Sequence, residues 1–335
     1  MVARSLLPLA LVTLVACTDY SVSKVPEPEV GTDTAAMTDT AGVDTSTTED
    51  TAEDTGTGGD TQPPDTATED TSVPTDTGTP PDTATEEPPD DPPPADDCDA
   101  TDDRIYVIDK DTSVLYLFNP ADNRLTSLGE IPCDSWSTPA SMGVSRDGHA
   151  YVRYSDDSVY DIDLASYTCT ETAYSDRTTR FGSFGMGYAT DTAGTWRDRL
   201  FVANETTLAT LDTSTWRTTN VGRMPSQSEL TGNAAGELWA LLPLESPAQL
   251  RQLDPRSGAT LTTVNLRSFP DPMDIDTFAF AAWGGDLFAF VRVYGMGSST
   301  TVYRVDSSGS MTRVVAELGI NVVGAGVSTC APTAR

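Results

Sequence analysis

One short pattern occurs five times between residues 105 and 306 of this chain, and it limits the possible folds more than any other feature. Each copy is an apolar run with an aromatic residue near its start, and a second strand-like run follows that ends in Asn or Asp. The aromatic residues are separated by 45, 50, 38 and 49 residues. They are Tyr106, Tyr151, Phe201, Trp239 and Phe288. Self-similarity at periods of about 40 to 50 residues indicates a repeat architecture in which each unit is one small sheet.

Four of the copies carry an additional Gly-rich or apolar run before the aromatic one, at residues 142–144, 185–188, 230–232 and 278–283. The first copy lacks this run, whereas the chain ends with a run at 321–327 that has no followers. Placing the last run in the first copy completes five four-stranded units. The sequence therefore predicts an all-β fold with one five-bladed β-propeller over residues 98–335, closed by its C-terminal strand. A β-sandwich, the rival fold, would explain neither the fivefold repeat nor the extra strand.

The same pattern predicts where the core lies. Gly and Ala are common in the first runs, as expected where five blades crowd around an axis. The five aromatic residues of the second strands are expected to pack between neighbouring blades, as core residues and not as ligand-binding residues.

Residues 17–97 differ sharply from the repeats. Residues 18–97 contain 22 Asp and Glu residues against one Lys, so this segment carries −21 of the total formal charge of −31. It also contains twelve prolines, and no aromatic, Leu or Ile residue follows Tyr20 before Cys98. Such a segment cannot bury enough apolar surface to offset its ordering entropy. We expect a disordered, extended tether that carries the folded domain, with low-complexity filler of no selected length as the alternative.

The N-terminus has the form of an export signal. An apolar run over residues 6–16 follows the single positive charge of Arg4, and it is too short to span a bilayer. Residues 1–16 are therefore predicted to be a signal peptide. The sequence Leu14-Val15-Ala16-Cys17 resembles the lipobox of bacterial lipoproteins, in which the signal is cut before the cysteine and the cysteine is acylated. An ordinary signal peptide with an incidental cysteine is the alternative.

The resemblance extends along the chain. Cys17-Thr18-Asp19-Tyr20, the Thr/Asp/Pro-rich stalk and the C-terminal residues 324–330 are together similar to lipoproteins of Gram-negative bacteria that carry a β-propeller-like domain. The resemblance implies palmitate-type acylation of Cys17 and, because Thr18 follows it, anchorage in the outer membrane. Whether the protein faces the periplasm or the cell surface is left open, and no enzymatic activity is implied.

The remaining four cysteines form an even set in an exported chain, which favours two disulfides with three possible connectivities. If the last strand closes the first blade, Cys98 and Cys330 come together at one end of adjacent strands. Cys133 and Cys169 would then join the outer parts of the first two blades. None of these residues forms a Cys-x-x-Cys pair, and His149 is the only histidine, so a zinc site has little support.

Few residues of the repeats are candidates for catalysis or metal binding. His149 follows the turn signal Arg146-Asp147-Gly148 and is expected to be a solvated turn residue. Carboxylates beside the inner strands could pair as in glycoside hydrolases, or bind calcium near residues 271–276, although solvated loops are the simpler interpretation. These candidates are Asp191, Glu229, Asp271, Asp274 and Asp276.

The sequence thus favours a non-enzymatic binding or scaffold module of the cell envelope, with a protein or glycan as its ligand. The alternative is a propeller glycoside hydrolase that uses inner-strand carboxylates. The absence of a basic patch argues against nucleic acid as a partner. We expect a monomer without a cofactor, bound to the membrane through its lipid.

Overall fold

The computed structural model describes residues 104–192, 197–295, 297, 299–306 and 308–334. These residues form twenty β-strands, one short helix α1 (Asp176–Thr179) and one 3₁₀ turn (Pro272–Asp274). The strands are β1 (Ile105–Asp109), β2 (Val114–Asn119), β3 (Arg124–Glu130), β4 (Pro139–Val144), β5 (His149–Tyr154), β6 (Val159–Asp163), β7 (Thr168–Glu171), β8 (Gly185–Thr190), β9 (Asp198–Ala203), β10 (Thr207–Asp212), β11 (Arg217–Arg223), β12 (Glu229–Gly232), β13 (Leu238–Leu242), β14 (Ala248–Leu253), β15 (Thr260–Leu266), β16 (Ile275–Trp283), β17 (Asp286–Val293), β18 (Thr301–Val305), β19 (Met311–Val315) and β20 (Val322–Gly326).

The strands form five four-stranded antiparallel sheets, which confirms the predicted five-bladed propeller. Blade 1 has the strand order β20-β1-β2-β3, and blades 2 to 5 consist of β4–β7, β8–β11, β12–β15 and β16–β19. The C-terminal strand therefore completes the first blade, with Tyr106 opposite Gly326 and Ile108 opposite Gly324. The inner strands contact one another in the order β20, β4, β8, β12, β16 and back to β20, so the ring is closed.

The hydrophobic core is divided into five layers, one between each pair of neighbouring blades. Blade 2 meets blade 3, for example, through Tyr151 and Met186, and blade 5 meets blade 1 through Phe288 and Phe118. Four of the five repeated aromatic residues are buried in these layers, as expected. Trp239 is the exception, since it is only partly buried and lines a cavity between blades 4 and 5.

The repeated Asn or Asp ends or directly follows the third strand of each blade, counted from the propeller axis, and it stabilises the turn that comes next. In every blade its side-chain oxygen accepts a hydrogen bond of 2.8–3.0 Å from the backbone N–H two residues later. This turn chemistry is typical of Asn and Asp. In these turns, hydrogen bonds from serine hydroxyls and from backbone N–H groups lower the pKa of the four aspartates, Asp163, Asp212, Asp254 and Asp306. The pattern that revealed the repeat is therefore a set of five turns stabilised in the same way.

Glycine is required where two inner strands approach closely. A Cβ atom on Gly187 of β8 would lie 2.9 Å from the Cα of Thr231 on β12, and one on Gly185 would lie 2.9 Å from the Cα of Glu229. No real side chain tolerates such contacts, so the expected enrichment of glycine near the axis has a steric cause.

The two ends of the propeller differ. At one end, which we call the cavity end, the inner strands begin. At the other, the tail end, the C-terminal segment 327–334 crosses from blade 1 towards blades 2, 3 and 5. Buried Thr329 lies against the Arg146–Asp198 ion pair (2.8 Å), and Pro332 accepts a hydrogen bond from Gly284.

One disulfide in the described region joins Cys133, which follows β3 of blade 1, to Cys169 on β7 of blade 2. This confirms the predicted staple between the first two blades. Cys330 is also disulfide-bonded. Its expected partner Cys98 lies outside the described residues, as do the predicted signal peptide 1–16, the tether 17–97 and the lipidation site Cys17, so these remain predictions. Across the described segments, no helix has both the length and the apolar character needed to cross a membrane.

Candidate functional site

A cavity of about 170 Å³, with both polar and apolar side chains in its lining, opens on the propeller axis at the cavity end. We call it the axial cavity. It lies where β4, β12, β16 and β20 begin, so blades 1, 2, 4 and 5 all contribute to its wall. The polar side chains in its lining include Lys110, Arg153, Ser155, Gln227, Glu229 and Asp276.

Arg153, near the end of β5, places a buried guanidinium group in this wall. Its Nε donates to the carbonyl oxygen of Phe184 (2.7 Å), and Nη1 donates to the carbonyl oxygen of Tyr154 (3.1 Å) and to Asp157 (3.2 Å). Burial lowers the pKa of Arg153, although Glu229 and Asp157 partly oppose this effect. The described part of the chain provides no acceptor for Nη2. An arginine has five N–H donors, so the guanidinium retains donors for a ligand in the cavity.

Glu229, the first residue of β12, is buried beside Arg153. Its Oε2 accepts a hydrogen bond from Ser141 Oγ of blade 2 (2.8 Å), and Ser141 Oγ accepts one from the backbone N–H of Met186 in blade 3 (3.1 Å). Burial raises the pKa of Glu229 to about 8, despite the opposing effects of Ser141 and Arg153. The carboxyl group is therefore mostly protonated at neutral pH and carries little negative charge.

Lys110 and Asp276 complete the charged part of the wall. Lys110 directly follows β1, and no carboxylate of the described residues forms an ion pair with it. Asp276 on β16 is paired with Arg292 at 2.9 Å, and both side chains are largely buried. With Glu229 mostly protonated and Asp276 paired with Arg292, no carboxylate among the described lining residues offsets the charge of Lys110, which makes this wall of the axial cavity cationic.

The structure brings together two of the five predicted carboxylates. Glu229 and Asp276 were expected beside inner strands, but β12 and β16 begin earlier than predicted, so both residues belong to inner strands and line the same cavity. Asp191 lies at the tail end, where it is paired with Arg199 at 2.9 Å.

The two other candidates lie just before β16. Asp271 caps the 3₁₀ turn by accepting a hydrogen bond from the backbone N–H of Met273 (3.0 Å), and Asp274 lines a separate open cavity of blade 5. Throughout the described residues, no group of three or more His, Cys, Asp or Glu side chains is arranged to hold a metal ion.

His149 is the first residue of β5, directly after the predicted turn. Its Nδ1 lies 2.7 Å from Asp161, and the imidazole is about one-third exposed. Burial alone would lower the pKa of His149, but the hydrogen bond and charge of Asp161, together with Asp147 and Asp163, raise it above its usual value. The side chain faces acidic residues near the tail end, far along β5 from the axial cavity.

Arg153 and Lys110 did not emerge from the sequence as candidates. The sequence does contain a feature that marks Arg153 as unusual. It is the one charged residue in the apolar run Ala150-Tyr151-Val152-Arg153-Tyr154. An arginine in such a strand must have buried partners, because an unpaired buried charge is costly. Lys110 carried no comparable signal, because a lysine after a strand is ordinarily solvated.

No protein-family model matches this chain, and no curated protein sequence matches it.

Proposed function

We propose that this protein is a non-enzymatic binding module of the cell envelope, and that its axial cavity binds the carboxylate of an acidic glycan. The protein would be exported by its signal peptide and anchored to the outer membrane through acylated Cys17. A uronic acid unit has the required chemistry, with one carboxylate for the cations and several hydroxyl groups for the polar wall.

The observation that carries this proposal is the pair of cations in a cavity that also presents uncharged polar side chains. Lys110 offers an ammonium group that forms no ion pair with the described residues, and the guanidinium of Arg153 retains donors for a carboxylate. Ser155 and Gln227 add hydroxyl and amide groups of the kind that orient sugar hydroxyls. Because Glu229 is mostly protonated at neutral pH, it does not repel an anion.

A glycoside hydrolase is the second candidate, because two inner-strand carboxylates line one cavity and Glu229 would be a protonated acid at neutral pH. The contacts of Glu229 favour binding instead. Its carboxyl group is held by Ser141 between blades 2 and 4, and Asp276 is neutralised by Arg292. Both side chains are thus engaged by the protein.

The test is calorimetric titration with D-glucuronate and with D-glucose, its matched neutral sugar. We expect binding of glucuronate alone. Replacing Lys110 by Gln should weaken it about tenfold, because a charge-assisted hydrogen bond contributes roughly 1.5 kcal/mol or more. Arg124→Gln, which removes an exposed cation from outer strand β3, is the matched control and should bind normally.

Equal affinity for glucose and glucuronate, or unchanged affinity of Lys110→Gln, would overturn the proposal. The hydrolase is tested with 4-nitrophenyl β-D-glucuronide. Release of nitrophenolate that is lost in Asp276→Asn would establish catalysis in place of simple binding.

A further inference from the structure

Trp136 is the one exposed tryptophan among the described residues. It is 89% exposed, whereas Trp216, Trp239 and Trp283 are each partly buried. It lies in the segment that joins β3 of blade 1 to β4 of blade 2, at the cavity end. An exposed indole keeps a large apolar surface in contact with water, which is unfavourable, and tryptophan is common among the residues that contribute most to binding.

The segment that carries Trp136 leads directly into the axial cavity. Thr138 and Pro139, two and three residues further along the chain, belong to the lining of this cavity. Two residues of chain span at most about 7 Å, so the backbone of Trp136 lies within that distance of the lining. A ligand that is held by Lys110 and Arg153 and extends out of the cavity on this side therefore meets the indole.

Two contacts with blade 2 fix the chain before Trp136. Cys133 is joined to Cys169 by the disulfide. The hydroxyl group of Tyr160, a buried residue, donates a hydrogen bond to the carbonyl oxygen of Asp134 (3.0 Å). The second contact lies only two residues from the tryptophan, so it limits the positions that the tryptophan backbone can take.

Two further contacts with blade 2 fix the chain after Trp136. Ser137 Oγ forms a hydrogen bond with Ser155 Oγ (2.6 Å), and the carbonyl oxygen of Thr138 accepts one from the backbone N–H of Ser155 (2.8 Å). Ser155 itself lines the axial cavity. The backbone that presents the indole is thus held in place on both sides, so little of its conformational entropy is lost when a ligand packs there.

We propose that Trp136 is the platform on which a second sugar ring of the glycan stacks, next to the unit whose carboxylate the axial cavity binds. This inference rests on the proposed function and extends it from one sugar unit to two. The face of a pyranose ring carries C–H groups, and its edge carries hydroxyl groups. A flat indole covers the apolar face while the hydroxyl groups remain in water, and such packing requires no charge on the second ring.

The surroundings of Trp136 favour a glycan over a protein partner. Its neighbours in sequence are Ser135 and Ser137, and the other exposed large apolar side chains of the described residues belong to blades 4 and 5, not to blade 1 or 2. A stable protein interface buries about 800 Å² on each partner around an apolar centre. One indole between small polar residues provides too little apolar area for such a centre, but it matches a single sugar ring.

The test is calorimetric titration of the purified protein with D-glucuronate and with the two disaccharides in which glucose is β-1,4-linked to either side of glucuronate. We expect one disaccharide to bind about tenfold more tightly than glucuronate, because it adds an aromatic stacking contact. Trp136→Ala should remove this gain and leave the affinity for glucuronate unchanged, since the axial cavity is intact. Trp136→Tyr, which remains aromatic, should retain most of the gain, and Trp136→Leu should not.

Leu261→Ala is the control variant, because Leu261 is an exposed apolar residue of outer strand β15, at the tail end. It should bind all three ligands normally. Equal affinity for glucuronate and both disaccharides, or a gain that persists in Trp136→Ala, would overturn the sugar platform and leave the proposed function standing. If none of the three ligands binds, both proposals fail. Self-association of the native protein that Trp136→Ala abolishes would assign the indole to a contact with a second copy of the chain, which would also overturn the platform.

Discussion

The buried carboxyl of Glu229 makes the stability of the propeller depend on pH. Its pKa is raised from 4.5 to about 8 because burial disfavours the charged form. Between these two values the folded protein retains a proton that the unfolded chain has lost. Raising the pH therefore favours unfolding, and the stability present below pH 4.5 is lost progressively up to about pH 8.

The size of the effect follows from the two pKa values. Linkage gives a loss of about 2 to 3 kcal/mol in the free energy of unfolding between roughly pH 5 and pH 7. Glu229→Gln should remove this loss, because glutamine imitates the protonated acid and its oxygen can still accept the hydrogen bond from Ser141 Oγ. The variant is thus expected to be more stable than the native protein at neutral pH.

The assay is urea unfolding of both proteins in buffers from about pH 5 to pH 8. Other titrating groups, including His149 with its raised pKa, are common to both proteins and cancel in the comparison. Glu205→Gln, on the exposed turn after β9, is the matched control and should follow the native pH profile. If the free energy of unfolding changed with pH in the same way in the native protein and in Glu229→Gln, the raised pKa of Glu229 would be refuted.

Three further predictions concern the fold and its anchorage. Gly185→Ala should destabilise the propeller by about 3 kcal/mol or more, because the new methyl group would overlap the carbonyl oxygen of Ser228; an unchanged urea midpoint would contradict this close approach. Cys169→Ser should cost about 4 kcal/mol, since the bond to Cys133 closes a loop with a sequence separation of 36, and the double Cys→Ser variant should lose no more. A loss below about 1 kcal/mol in Cys169→Ser would contradict that account. Cys17→Ser should move the protein from the detergent phase to the aqueous phase, and retention in detergent would exclude the lipid anchor.

The architecture could be predicted because local features encode it. Each blade repeats an aromatic residue and a turn stabilised by Asn or Asp, and both features follow from the properties of a few neighbouring residues. Closure by the last strand could also be predicted, because a strand without a hairpin partner needs a sheet edge to join. The disulfide bond between Cys133 and Cys169 could be predicted from the same order of strands.

The axial cavity could be predicted only in part, because its contacts join residues far apart in the chain. Ser141 and Glu229 are separated by 88 positions and come from blades 2 and 4. Their contact depends on how closely the glycines allow β8 to approach β12, which the repeat pattern does not specify. Strands β12 and β16 also begin earlier than the sequence indicates. Glu229 and Asp276 therefore belong to inner strands and not to the loops before them.

The position of β1 has a mechanical consequence. Strand β1 is hydrogen-bonded on both sides, to β2 and to β20, and it runs from the tail end to the axial cavity. When a load is applied between residue 104 and a ligand held at the cavity end, the force acts along β1. Its two ladders of hydrogen bonds must then shear together, because neither can open one bond at a time. Closure by the last strand thus gives β1 a second ladder of hydrogen bonds that resists such a load, which it would lack as an edge strand.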